Sequence, residues 1–198
     1  MQSTIQTLIQ ASIDTKTSLL QDPKILSCIE KCVEQITLAF RRGNKVLFCG
    51  NGGSAADAQH LAAEFSGRFY IDREALPAEA LHCNTSYLTA VANDYSYDEI
   101  FARLLKGIGQ PGDILVGLST SGNSKNIVRA FEVAREKNMC TIGFTGATGG
   151  ALQPLSDWCI NAPSTDTPRI QECHMLIGHI ICQLVEAAYF QTDQSEPA

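Results

Sequence analysis

No run of lysine or arginine marks this chain of 198 residues, in which 15 basic residues stand against 21 acidic ones for a net charge of -6. A nucleic-acid footprint needs a basic face, so nucleic acid is not an expected partner. Uninterrupted apolar runs fall well short of the roughly 20 residues that a membrane span requires, although hydrophobic residues make up 44% of the chain. No membrane association is expected. No basic segment precedes an apolar stretch at the amino end; MQSTIQTLIQASID reads as an amphipathic helix rather than a secretion signal, and the expected compartment is the cytoplasm. The eight cysteines form no CxxC pair, which removes the usual thiolate zinc or dithiol redox motifs. They are scattered through apolar segments and read as reduced core thiols.

What is present is an alternation of two patterns. Ile5, Leu8, Ile9, Ile13 and Leu20 recur at helical spacing, as do Leu26, Ile29, Val33, Ile36 and Phe40 after an Asp22-Pro23 start suited to a helix cap. Residues 1–42 are therefore expected to form a pair of amphipathic helices. Beyond Gly43 come the short apolar runs KVLFC (45–49), EALHC (79–83), DILVGLS (113–119), CTIGFTG (140–146) and WCINA (158–162). Helix-like segments separate them at about 53–66, 85–93, 97–108, 123–137 and 168–190. Near-continuous apolar strands alternating with helices predict a doubly wound α/β domain, a five-stranded parallel sheet flanked by helices. The expected organisation is one domain over 1–198, with an α/β core at 43–190 and a flexible tail at 191–198.

Two strand ends are built alike. KVLFC runs into GNGGS, and DILVGL runs into STSGNS, each ahead of a helix. Glycine admits close approach of backbone N–H groups to an anion, hydroxyls donate further bonds, and the helix dipole favours negative charge. Neither loop is a nucleotide fingerprint: GNGGSA has Ala55 where a third glycine would stand, and GxxxxGK[ST] is absent. Lysine and arginine are largely missing from both loops, which suits a sugar phosphate better than a polyphosphate. The alternative for either loop is a plain, tight strand-to-helix turn.

His60 and Glu64 lie four residues apart and share a helix face. The last helix, TPRIQECHMLIGHIICQLVEAAYF, can be capped by Thr167 with Pro168 in its first turn. Leu176, Ile180, Ile181 and Leu184 are expected to make its buried stripe, with His174 a core histidine. Gln171 and His179 are separated by about 12 Å along a helix and about 80° around it, so meeting at one point requires their side chains to lean together.

The segments CGNGGSAADAQHLAAEFSGRF, VANDY, GLSTSGNS and RIQECHMLIGHIICQLVE resemble the bacterial phosphoheptose isomerases, members of the sugar-isomerase superfamily, over about Gly43 to Glu186. The resemblance implies aldose–ketose isomerisation of sedoheptulose 7-phosphate to the heptose 7-phosphate, the first step toward a nucleotide-activated heptose for lipopolysaccharide or related glycans. It implies Glu64 and His179 as the acid/base pair, working through an enediol(ate). The implied substrate contacts are Asn51, Gly52, Gly53, Ser54, Glu64, Asn93, Asp94, Ser119, Thr120, Ser121, Ser124 and Gln171. One zinc per subunit would be held by His60, Glu64, Gln171 and His179, in a homotetramer with active sites at subunit contacts. Pro168 departs from the small or acidic residue that many relatives carry there. The alternative reading is a non-catalytic protein of the same fold that associates with a replication initiator; the presence of Glu64 argues for the enzyme.

Overall fold

The computed structural model describes residues 1–190; the expected tail at 191–198 lies outside the described residues. Helix α1 (Gln2–Gln21) leads into α2 (Pro23–Arg41), where Asp22 caps the second helix by accepting from the backbone N–H groups of Lys24 and Ile25, with Pro23 at its start. Then follow β1 (Val46–Gly50), α3 (Gly53–Ser66), β2 (Ala78–Ala80), α4 (Thr85–Asp94), α5 (Ile100–Ile108), β3 (Ile114–Leu118), α6 (Lys125–Glu136), β4 (Cys140–Thr145), β5 (Trp158–Asn161) and α7 (Thr167–Phe190). Short 3-10 turns at Tyr97–Glu99 and Gly150–Leu155 interrupt the connections. The first shortens the expected helix over 97–108, and the expected strand at 79–83 reduces to three residues at the sheet edge.

All five strands are parallel in the order β2-β1-β3-β4-β5, with Val46 opposite both Ala78 and Ile114. The chain steps outward from β1 to β2 and then returns to the other side of β1 to lay down β3. Adjacent crossovers therefore leave in opposite directions at the carboxyl ends of β1 and β3, the crevice where ligands bind in open α/β sheets. The loops GNGGS and STSGNS are the two lips of that crevice.

Alternation along the strands divides the interior. Phe48, Val116, Leu118 and Phe144 face a cluster closed by α2, α3 and α7, while Leu47, Cys49 and Leu115 face one closed by α5 and α6. Full burial of each large aliphatic or aromatic side chain contributes about 1.5–3 kcal/mol. Helix α7 is long and apolar enough, by length and composition, to cross a membrane; here it packs against α1, α2, α3 and β4.

The buried face of α7 differs from the one expected. Ile170, Cys173, His174, Ile177, Gly178, Ile181, Cys182 and Val185 point inward, whereas Leu176 and Leu184 are exposed and Ile180 is half-buried. Apolar residues surround most of this helix, so composition does not choose the face; Gly178 does. A Cβ at Gly178 would sit 2.5 Å from the Leu61 side chain, and its absence lets α3 close directly on α7. Helix α1 is the other departure: Ile5, Leu8, Ile9, Ile13 and Leu20 are all exposed, and Leu19 is its one buried residue. All eight cysteines are free, and Cys32, Cys49, Cys173 and Cys182 are buried as core thiols.

His174 is fully buried, its Nε2 placed 3.0 Å from the carbonyl oxygen of Thr145 and its ring edge-on to Phe144. Burial disfavours the imidazolium and pushes the pKa from 6.5 down to about 4. The folded chain thus binds fewer protons than the unfolded chain between those two values, and stability falls as the pH drops through that window. The loss expected by about pH 4 is roughly 3 kcal/mol. His174→Gln retains an N–H donor for Thr145 without an ionisable ring. It should flatten the dependence of melting temperature on pH between 6.5 and 4; an unchanged slope in the variant excludes His174 as its source.

Candidate active site

The crevice is floored by neutral polar groups. At the end of β1, Asn51 exchanges two side-chain hydrogen bonds with Asn126, of 2.9 and 2.8 Å, and accepts a third from the Tyr97 hydroxyl at 3.0 Å. Asn126 is 3% exposed, so this pair locks the first loop onto the first turn of α6. Gly52 is the helix-capping residue of α3 and supplies no side-chain cap, and Ser54 is buried in the first turn. Across the crevice, Ser119 and Ser124 share a 2.9 Å hydroxyl contact, Ser121 accepts from the backbone N–H of Asn123, and Thr120 is half-buried between them. Ser124 also leaves α6 without a side-chain cap. Both helices therefore present amino-terminal N–H groups and a positive dipole end to the same opening.

Helices α3 and α7 run in the same direction, in a register read from close approaches. The Gln171 carboxamide lies over Gly53, where an added Cβ would come within 2.6 Å of its nitrogen, and Gly178 meets Leu61. One step further along, His60 meets His179, with Nε2 atoms 3.4 Å apart and rings edge to face. His60 Nε2 also lies 2.9 Å from Glu64 Oε1. The ligand atoms of His60, Glu64 and His179 all fall within 4.8 Å of one another. This cluster brings together the two catalytic candidates and three of the four expected metal ligands. Gln171, the fourth, packs against the start of α3, about two turns from His60 at 1.5 Å per residue. Asn93 and Asp94 pair with each other at the exposed end of α4.

The cluster suits a divalent cation. Ligand–metal bonds of about 2.0–2.1 Å in a tetrahedron separate neighbouring donors by about 3.4 Å, the spacing of the two imidazole nitrogens. Two imidazoles and a carboxylate form a donor set typical of zinc, with positions left for water or substrate.

Other members of the site escaped the sequence reading. Asp57 lies on the His60 and Glu64 face of α3, with Oδ2 buried and lacking a protein hydrogen-bond partner. Desolvation raises its carboxyl pKa, and the His60 imidazole opposes that shift. Its spacing, three residues before His60, was a usable signal. Phe69 packs its ring 5.8 Å from that of His179, and Asn126 and Tyr97 orient Asn51. These placements rest on long-range packing and carry no local signature. His82 is half-buried and its pKa is lowered by desolvation, with Nδ1 unpartnered.

Residues 17–146 match the SIS domain family model. A phosphoheptose isomerase from Aneurinibacillus thermoaerophilus is 51% identical over 191 residues, covering 96% of each chain. One from Clostridium acetobutylicum is 50% identical, covering 96% of this chain and 97% of the relative. The solved phosphoheptose isomerase of Neisseria gonorrhoeae superposes with a TM-score of 0.88 at 38% identity, covering 94% of this chain and 98% of that one. That of Francisella tularensis gives 0.88 at 35% identity, covering 92% and 96%. These similarities do not favour the non-catalytic, initiator-binding alternative. With a five-stranded parallel sheet of the same fold and an imidazole–carboxylate cluster between α3 and α7, the chain belongs to the phosphoheptose isomerase family of SIS-domain enzymes and is a sugar-phosphate isomerase.

Proposed function

We propose that the substrate is sedoheptulose 7-phosphate and the product D-glycero-D-manno-heptose 7-phosphate, the first step toward ADP- or GDP-activated heptose and, through it, lipopolysaccharide or related glycans. The observation that carries the reading is the convergence of Glu64, His179 and His60 within 4.8 Å, about two to three turns along the helix whose uncapped amino terminus opens the crevice. The relatives' shared name and near-complete coverage support the heptose specificity. A cytoplasmic location fits a freely diffusing phosphorylated substrate.

In this reading the sugar phosphate is held at the hydroxyl loop Ser119, Thr120, Ser121 and Ser124, with Asn51, Gly52, Gly53 and Ser54 on the facing lip. Asn93 and Asp94 bind sugar hydroxyls from the end of α4, and Gln171 reaches the substrate from above Gly53. Moving the carbonyl from C2 to C1 takes a proton from C1, returns one to C2 and transfers one between the oxygens. Glu64 serves the carbon-bound proton. His179 serves the oxygen atoms. His60, Glu64 and His179 would hold one zinc ion per subunit, with Gln171 completing the set by leaning along α7. When bound, zinc polarises the carbonyl and stabilises negative charge on its oxygen. A carboxylate that holds a metal is a weaker base, so Glu64 would not serve as ligand and base at the same moment.

The exposed apolar stripe on α1, together with exposed Leu176 and Leu184 on α7, supports assembly of the chain as a homotetramer that covers these faces.

Pure protein given sedoheptulose 7-phosphate should yield the aldose, and pentose or hexose phosphates should react far more slowly. Absence of turnover, combined with capture of a replication initiator, reverses the assignment in favour of a binding module. Glu64→Gln and His179→Ala should retain the wild-type circular dichroism spectrum and lose at least about 1,000-fold in kcat. Retention of more than a tenth of wild-type activity removes that residue from the chemistry. Protein purified without chelator should contain about one zinc per chain, lose activity on chelation and regain it with zinc. Sedimentation should give a tetramer for the wild type and a smaller species for Ile9→Glu/Ile13→Glu.

A further inference from the structure

One buried ion pair lies outside the reacting groups yet touches every element that carries them. Arg73 and Glu186 have side chains 2% and 4% exposed, with Arg73 Nε 2.9 Å from Glu186 Oε1. The remaining donors of Arg73 are spent on carbonyls at the end of α3: Nη2 donates to Glu64 O at 2.8 Å, and Nη1 to Phe65 O at 2.7 Å and Gly67 O at 3.0 Å. Nη1 also donates to Glu74 O. The guanidinium thus satisfies carbonyls left without an intrahelical partner, at the end of the dipole that favours a cation.

Glu186 works from the other side. Its carboxylate accepts the successive backbone N–H groups of Phe69, Tyr70 and Ile71 at 3.2, 2.8 and 3.2 Å. Glu186 follows His179 by seven residues, two turns of helix, so both project from one face of α7. The segment it gathers carries Phe69, whose ring lies against His179. The backbone of Glu64, the wall beside His179 and α7 itself therefore meet in one charge-assisted network. Those N–H bonds and Arg73 outweigh desolvation and hold the Glu186 carboxyl below its ordinary pKa.

A fold stabilised only by burial would not require this pair: replacing a buried ion pair with apolar residues is often neutral or stabilising. The network is instead directional: apart from the local bond to Glu74 O, its bonds tie α7 to the end of α3 and to the loop over His179. We propose that Arg73 and Glu186 are positioning residues that fix the separation and orientation of Glu64 and His179, and hence the metal affinity and turnover of the site. This deepens the isomerase reading above and rests on it for the turnover part only.

The test uses Glu186→Gln and Arg73→Lys in the full-length protein, with Leu105→Ala in the opposite core as a control for general loss of stability. Cobalt(II) or zinc affinity is measured by titration of metal-free protein, and kcat and KM with sedoheptulose 7-phosphate. Both clamp variants should bind the metal about 10–100-fold more weakly and lose at least about tenfold in kcat with KM changed less than about threefold. The control should lose stability without either change. Arg73→Met, which cannot reach the carbonyls as a donor, should be worse than Arg73→Lys. Clamp variants that fold with wild-type metal affinity and kcat overturn the proposal, as does a control that shows the same losses. If Glu186→Gln fails to fold, Arg73→Lys decides alone. Absence of wild-type turnover sinks the substrate reading instead, and the metal titration still judges the clamp.

Discussion

The contact on which the site depends is the parallel packing of α3 against α7. Neither helix carries a complete set of groups: α3 supplies His60 and Glu64, and α7 supplies His179 and Gln171. Their registration comes from two glycines, Gly53 beneath the Gln171 carboxamide and Gly178 beneath Leu61. A side chain at Gly178 would hold the helices apart by the width of a methyl group or more. The two imidazole nitrogens, now 3.4 Å apart, would separate by a comparable amount, beyond what one ion could bridge.

The sheet supplies the second half of the geometry. Because β1 and β3 are neighbours whose crossovers leave in opposite directions, their carboxyl ends form an opening rather than a covered edge. Helices α3 and α6 both begin there without side-chain caps, and the Asn51–Asn126 exchange ties the two lips together. The uncapped amino terminus of α3 and the His60–Glu64 pair about two to three turns along it belong to one element. Their distance is set by helix rise, which does not vary.

Several features were legible from residues alone. Apolar runs ending in glycine or serine gave the strands, and Asp22-Pro23 gave the start of α2, because both reflect local chemistry. His60 and Glu64 were readable as a pair because four residues is one turn. The inward face of α7 was not: nearly all its sides are apolar, so the pattern offered Leu176 and Leu184 as core when both are exposed. The exposed stripe of α1 was read only as amphipathic, since a sequence shows that an apolar face exists and not what covers it.

Sequence by itself determined the layered α/β class, the two phosphate-suited loops and the chemical character of the acid/base candidates, because these follow from residue type and short spacing. Tertiary structure decided that His179 reaches His60 across 119 positions of chain, that Gln171 lies over Gly53, and that Arg73 and Glu186 knot the end of α3 to α7. Contacts of that kind arise when distant segments are driven together by burial of apolar surface. Only then do the polar groups they carry find partners, and no local pattern records which ones they will be.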